Sequence, residues 1–255
     1  MKKDLSRQFF EEYGILARRF DNFTNDEMAL SEHIEEFSQR LLLCLFCFVF
    51  ATLACFIDIK EIVRLFQAPA LGIKFLQFAP GEYFFASVKI ALFCGLLISS
   101  PFFIYELFLY VIPGMTKKER ELVLPLIIGS SLLFVSGLVF SYFFLVPAAL
   151  NFFIAYGSDV VEPFWSFDQY FNFVSILIFT TGLAFQIPVL QFIFGILGII
   201  SGRKMLSLWK YVVVISTILA AIITPSTDPI TQILMASALL LLYLGGAGAV
   251  LLFNK

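Results

Sequence analysis

Residues 107–125 read LFLYVIPGMTKKERELVLP. An apolar run stops at Pro113-Gly114, a charged loop follows, and a second apolar run starts at once. The pattern predicts a tight inward hairpin between two membrane spans. Lys117, Lys118 and Arg120, interleaved with Glu119 and Glu121, lie within a few residues of both hydrophobic segments. Because cytoplasmic loops carry an excess of Lys and Arg close to membrane spans, the loop marks the cytoplasmic face or its organellar equivalent.

Outward from that hairpin the whole chain has membrane character. Its 255 residues are 60% hydrophobic and only 14% charged, with a mean hydropathy of +0.93, whereas soluble domains carry about 25% charged residues. Before the hairpin the reading gives span one at about 41–57, an irregular outer segment at 58–83 containing Pro69, Pro80 and Gly81, and span two at about 84–112, bent near Pro101. After it come span three at about 122–150, an acidic outer loop at 151–168, and span four at about 171–200, with Gln186 and Pro188 near its middle. A basic inner segment at 201–210 leads to span five at about 208–223, and the turn 224–229 leads to span six at about 230–253.

Of the 17 Lys and Arg residues, Lys60, Arg64, Lys74 and Lys89 fall at or near the outer face, and the other 13 fall on the inner one. The fold expected is an all-α polytopic bundle of six transmembrane helices with both termini on the cytoplasmic or stromal side. Spans five and six are expected to be short and the bundle concave. Span five offers about 16 residues, or roughly 24 Å of helix against a hydrocarbon core of roughly 30 Å. The polar turn 224–229 must then lie below the outer lipid surface. Residues 1–38 form a cytoplasmic or stromal N-terminal region with a short amphipathic helix capped by Ser31, and residues 39–255 form the transmembrane domain.

His33 is the single histidine, which argues against triad and His-based metal chemistry. The four cysteines lie in apolar runs and read as small hydrophobes rather than ligands. Neither a cofactor nor a metal is expected, and the chain lacks the nucleophile-elbow, P-loop and zinc-protease patterns of common enzymes. Polar groups within spans are costly and need a reason. Glu106 reads as snorkelling or pairing with an inner-face lysine, or else as a functional acid. Gln186 is placed to satisfy the carbonyl freed by Pro188. Asp228 and Gln232 flank the last outer turn. Glu36 and Glu119 form a pair of inner-face acids that reads either as locally paired surface charge or as a receptor for guanidinium groups. A carboxylate takes two parallel hydrogen bonds from Arg that Lys cannot reproduce.

Residues 31–41, SEHIEEFSQRL, resemble the amino-terminal H-x-x-E-L-R-x-R-L signature of the TatC family, the six-span subunit of the twin-arginine protein translocase. Residues 100–105, 110–120, FQIP at 185–188 and TPSTDPITQ at 224–232 resemble further motifs of that family in its order and spacing. The resemblance implies a non-enzymatic receptor and scaffold. It would bind the twin-arginine signal peptides of folded precursors, and assemble with single-span proteins of the TatA and TatB type in an oligomeric receptor complex driven by the proton gradient. Carried over by position, it implies signal-peptide contacts at Glu36, Glu119, Arg120 and Tyr110, and intramembrane polar or partner contacts at Gln186, Pro188, Asp228 and Gln232. Pro69, Pro113 and Gly114 take structural roles. Ser38 stands where the family has Arg, and Gln186 where many members have Glu. The turn 224–232 and the tail YLGGAG at 243–248 resemble the cyanobacterial and plastid branch, which favours a thylakoid membrane, with a bacterial inner membrane next. Nucleic acid is not implied. The competing reading is a small secondary transporter with a path through Glu106, Gln186 and Asp228, for which the chain shows none of the internal repeats common in such proteins.

Overall fold

The structure is a computed structural model that describes residues 30–70, 72–112, 120, 122–157, 164–224 and 228–253. Helix α1 (Leu30–Ile57) carries the amphipathic segment and span one as one uninterrupted rod. Ser31 lies inside that helix, and its side chain, with the cap expected of it, is outside the described residues. The outer segment that follows is more regular than expected. It holds α2 (Ile59–Gln67), a 3-10 turn at Ala68–Ala70 and strand β1 (Lys74–Leu76). Its apolar side faces the bundle through buried Val63 and Phe66, which is what gives this short helix its order.

Span two is α3 (Glu82–Val111), continuous through Pro101. A proline inside a helix deprives the carbonyl four residues earlier of its partner. Here the Ser100 hydroxyl donates to that carbonyl, of Leu97, at 2.6 Å. Span three is α4 (Val123–Phe140), a wide π turn at Ser141–Leu145 and α5 (Val146–Gly157). The π turn sits just before Pro147 and takes up the break in the ladder that proline imposes. The span thus runs on past the expected end at 150. Strand β2 (Phe164–Ser166) pairs in parallel with β1, Lys74 opposite Phe164, and so ties the two outer segments together. The reading had foreseen helices alone. Span four comprises α6 (Phe167–Ala184) and α7 (Ile187–Ile196). On the inner side α8 (Gly202–Ser207) is capped by Ser201 and leads to span five, α9 (Trp209–Ile223); span six is α10 (Pro229–Phe253).

Five of the helical stretches are long and apolar enough to cross a membrane, and α9 is a shorter apolar helix. The six-span topology follows. At 15 residues, α9 reaches about 22 Å, short of the roughly 30 Å core. Span six, by contrast, is a full 25 residues, so the shortness expected of both spans belongs to span five alone. Residues 225–227, the centre of the polar turn, lie outside the described residues.

The largest core of the bundle and its smaller ones lie at different levels. Its main core gathers Ile90 of α3, Leu145 and Val146 of span three, Val174 and Leu177 of α6, and Met235 and Leu239 of α10, all in the outer half. Towards the inner face the packing separates into two clusters. One is Phe108, Ile112, Val123 and Val189; the other is Met205, Ala247 and Val250. Between them spans three, four and six leave an apolar concavity of about 650 Å³. The outer rim is pinned by Glu82, whose carboxylate accepts from the Phe78 and Ala79 amides at 2.6 and 3.2 Å, from the Ser166 hydroxyl at 3.0 Å and from the Asp168 amide at 3.3 Å. Lys89 adds a bridge to Asp168 at 2.8 Å.

Candidate functional site

The inner ends of α1 and α3 lie side by side, and helical spacing decides what meets there. On α1, His33, Glu36, Phe37 and Arg40 recur at intervals of three and four and share one face. On α3, Glu106 and Tyr110 do the same. The Arg40 guanidinium sits between the two helices and is held by both. Its Nε and Nη2 donate to one oxygen of Glu36, Oε1, at 3.0 and 2.6 Å, and its Nη1 donates to Oε2 of Glu106 at 2.8 Å. All three side chains are shielded, with exposures of 15% for Glu36, 15% for Arg40 and 9% for Glu106.

One level closer to the inner surface, the His33 ring stacks on Tyr110 at 4.3 Å between centroids, and Phe37 meets the same ring at 5.3 Å. The aromatic layer covers the ionic one. Beneath both runs an apolar groove of about 400 Å³, flanked by Leu41, Leu45, Phe103 and Leu107.

The arrangement is incomplete as an ion pair. Among the described residues, two carboxylates and one guanidinium leave one net negative charge. The second oxygen of Glu36, Oε2, is buried with no hydrogen-bond partner among the described residues. His33 Nδ1 stands 3.9 Å from it, beyond hydrogen-bond range. A buried acceptor left unpaired costs on the order of 1–3 kcal/mol, and more when it is charged. The site is therefore arranged to gain from one additional donor of positive charge.

The structure brings Glu36 and Tyr110 together as neighbours of one site. Glu119, Pro113 and Gly114 lie outside the described residues, and Arg120 stands half-buried just before span three. Glu106, for which the sequence reading offered a lysine, is paired instead with Arg40. That partnership went unread because it joins residues 66 positions apart. The available signal was that each stands within two or three turns of the inner end of its span.

The remaining polar residues occupy other places. Gln186 does not repair the carbonyl freed by Pro188. The helix restarts at Ile187, so Pro188 falls in a first turn where no amide bond is needed. Its amide crosses to span three, accepting from the Ser130 hydroxyl at 2.5 Å and donating to the Ser130 carbonyl at 3.0 Å. Asp228 is fully buried and caps α10: Oδ1 accepts the Thr231 amide at 2.7 Å, and Oδ2 accepts the Thr231 hydroxyl. Gln232 reaches the Thr217 carbonyl of span five at 3.4 Å, beside a cavity of about 430 Å³ between spans five and six. Pro69 lies in the 3-10 turn. The carbonyl it cannot bond, that of Leu65, accepts from the Tyr142 hydroxyl at 2.8 Å, and the next, of Phe66, accepts from Tyr170 at 2.7 Å. Among the described residues no cluster of His, Cys, Asp and Glu could hold a metal ion.

Comparison with known proteins agrees with this architecture. A family model described as Sec-independent protein translocase protein (TatC) matches residues 32–237. The chain is 51% identical over 229 residues to the Sec-independent protein translocase protein TatC of Synechocystis sp., covering 90% of each. It is 50% identical over 231 residues to the chloroplastic TATC of Pisum sativum, covering 90% of this chain and 65% of that one. An uncharacterized tatC-like protein, ycf43, of Guillardia theta is 58% identical over 225 residues, covering 88% of this chain and 78% of that one. Among solved structures, a crystal structure of a twin arginine translocase receptor, TatC, superimposes with a TM-score of 0.74 at 31% identity, covering 88% of this chain and all of the other.

Proposed function

The chain belongs to the TatC family of Sec-independent protein translocase proteins, and on that premise we propose that the Glu36 site receives a guanidinium group of a twin-arginine signal peptide. The protein is an integral component of a thylakoid or bacterial inner membrane. In this reading it acts as the receptor and core scaffold of the translocase, and family membership displaces the secondary-transporter reading. Residues 1–38 are its cytoplasmic or stromal region and 39–255 its transmembrane domain. Its role is binding and assembly, with no bond made or broken by the chain.

The observation that carries the proposal is the buried Oε2 of Glu36, which has no hydrogen-bond partner among the described residues, in a site where those residues place two carboxylates against one guanidinium. A guanidinium offers five donors in a fixed fork and can reach that oxygen while keeping further bonds to the peptide or to solvent. An ammonium can supply the charge but not the planar pair of donors. Glu119, carried on the neighbouring inward loop, takes the second arginine, with Tyr110 and Arg120 shaping the entry. Gln186 and Pro188 lie beside the concavity between spans three, four and six, and Asp228 and Gln232 at the outer end of spans five and six. The cavity beside Gln232, the Gln186–Ser130 pair and that concavity offer surfaces for TatA- and TatB-type helices.

The test compares labelled leader peptides carrying Arg-Arg or Lys-Lys on the purified full chain in lipid nanodiscs, read by fluorescence anisotropy. Glu36→Gln is expected to remove most of the preference for Arg-Arg. Retention of the full preference by that variant rules out Glu36 as the discriminating acid.

A further inference from the structure

We infer that Glu106 is a positioning residue for signal recognition: it retains Arg40 when an incoming guanidinium takes Glu36. The inference rests on the receptor reading above and adds a residue and a step to it. In the structure Glu36 already holds a guanidinium, that of Arg40, through its Oε1. A second guanidinium arriving at Oε2 brings two positive groups onto one carboxylate within a shielded space. Like charges at that separation repel strongly where water is excluded.

Glu106 resolves the conflict. It grips the opposite end of the same guanidinium, at Nη1, from a separate helix. Arg40 can therefore yield its Nε and Nη2 bonds to Glu36 and remain neutralised and hydrogen-bonded. With the ligand bound, two carboxylates face two guanidinium groups and the site is electrically balanced. The exchange needs no large motion, because Glu106 and Arg40 are already at 2.8 Å. In this scheme Arg40 is a resident competitor that keeps Glu36 from accepting an arbitrary cation. Only a ligand with a comparable fork displaces it, since a lysine ammonium replaces two donor bonds poorly.

The scheme differs from a simple negative field at the site, and a double-mutant cycle separates them. Glu106→Gln is expected to weaken Arg-Arg peptide binding by about tenfold, the factor that corresponds to 1.4 kcal/mol, because Arg40 then clings to Glu36 alone. Arg40→Gln is expected to strengthen binding severalfold. In the Arg40→Gln background, adding Glu106→Gln should change the dissociation constant by less than about twofold, since no competitor remains to be held. A field effect would weaken binding by the same factor in both backgrounds, and that outcome overturns the inference. Glu106→Asp keeps the charge while withdrawing the carboxylate from Arg40. It is expected to weaken binding severalfold and serves equally if the glutamine variant does not fold; wild-type affinity in Glu106→Asp also overturns the inference. The two readings fail separately. Glu36→Gln with an intact Arg-Arg preference defeats the receptor site itself, whereas loss of that preference with equal Glu106 effects in both backgrounds defeats only the holding role.

Discussion

Replacing Gly95 with alanine drives a methyl group into span one, and its cost can be worked from the contact. A Cβ built on Gly95 lies 2.2 Å from Thr52 Oγ1 and 2.8 Å from both Thr52 Cα and Thr52 N, whereas ordinary contact begins at 3.4 Å. Rotation of the Thr52 side chain relieves the first clash. The other two involve backbone, so α1 and α3 must part by about the difference between 3.4 and 2.8 Å, which is about 0.6 Å. Overpacking of this kind costs about 1–3 kcal/mol, and the higher helix preference of alanine returns about 0.8–1 kcal/mol. Two clashes with backbone put the cost in the upper part of that range, about 2–3 kcal/mol, so a net loss of about 1–2 kcal/mol is expected. The assay is reversible unfolding of the purified chain in mixed micelles with increasing SDS, followed by circular dichroism. Gly129, with nothing within 4 Å of its built Cβ, is the control, and Gly129→Ala should be neutral or slightly stabilising. Adding Thr52→Ala to Gly95→Ala should recover only a small part of the loss. Full recovery would place the clash on the hydroxyl, and wild-type stability in Gly95→Ala would mean that the helices are not in backbone contact; either result refutes the reasoning.

Two further expectations concern the polar residues of the bundle. Ser130→Ala and Gln186→Leu each remove bonds from one reciprocal pair; each should cost about 0.6–1.7 kcal/mol, the range for hydrogen bonds between membrane helices. The double variant should cost little more than Gln186→Leu alone, and strict additivity in the same SDS titration would show that the pair does not form. Asp228→Ala removes the cap of α10 and should cost about 0.5–2 kcal/mol, while Asp228→Asn, which caps about as well, should cost much less. Equal losses for the two variants would mean that the charge of Asp228, rather than its acceptor oxygens, supports the turn.

Spans and orientation were legible because they depend on local composition: apolar runs of known length and the side on which Lys and Arg gather. Glu36 stood out on the same basis, as an acid at the head of an apolar run. Pairings across the bundle were not legible. Nothing in residues 184–190 says that Gln186 would turn to Ser130 instead of its own backbone; that choice depends on the helix breaking at Phe185 and restarting at Ile187, which frees Pro188 from any debt to a carbonyl. Likewise, the helix at Ile59–Gln67 hides in a segment rich in turn signals, because its order comes from Val63 and Phe66 packing on the bundle and from tyrosines on spans three and four bonding its last carbonyls. The groups that answer the other prolines, Ser100 for Pro101, Tyr142 for Pro69 and a π turn for Pro147, likewise come from the surrounding structure.

Span one is the least buried of the five long apolar helices among the described residues, which gives the inner site a structural part beside the receptive one proposed. Phe46, Phe50 and Ile57 are 72%, 77% and 81% exposed on the outside of the bundle. Lipid tails are as apolar as these side chains, so their burial supplies no force holding α1 to its neighbours. Its register against α3 must come from specific contacts. Along the helix these include the Gly95–Thr52 approach, the burial of Cys55 in the main core, the Arg40 bridge to Glu106, and the rings of His33 and Phe37 on Tyr110. If a leader were to displace Arg40 from both acids, one of these attachments would be lost at the moment of binding. Displacement from Glu36 alone costs no interhelical bond, since Glu36 and Arg40 belong to the same helix. Under the proposed exchange, the division of Arg40 between an acid on its own helix and an acid on the next keeps span one in place.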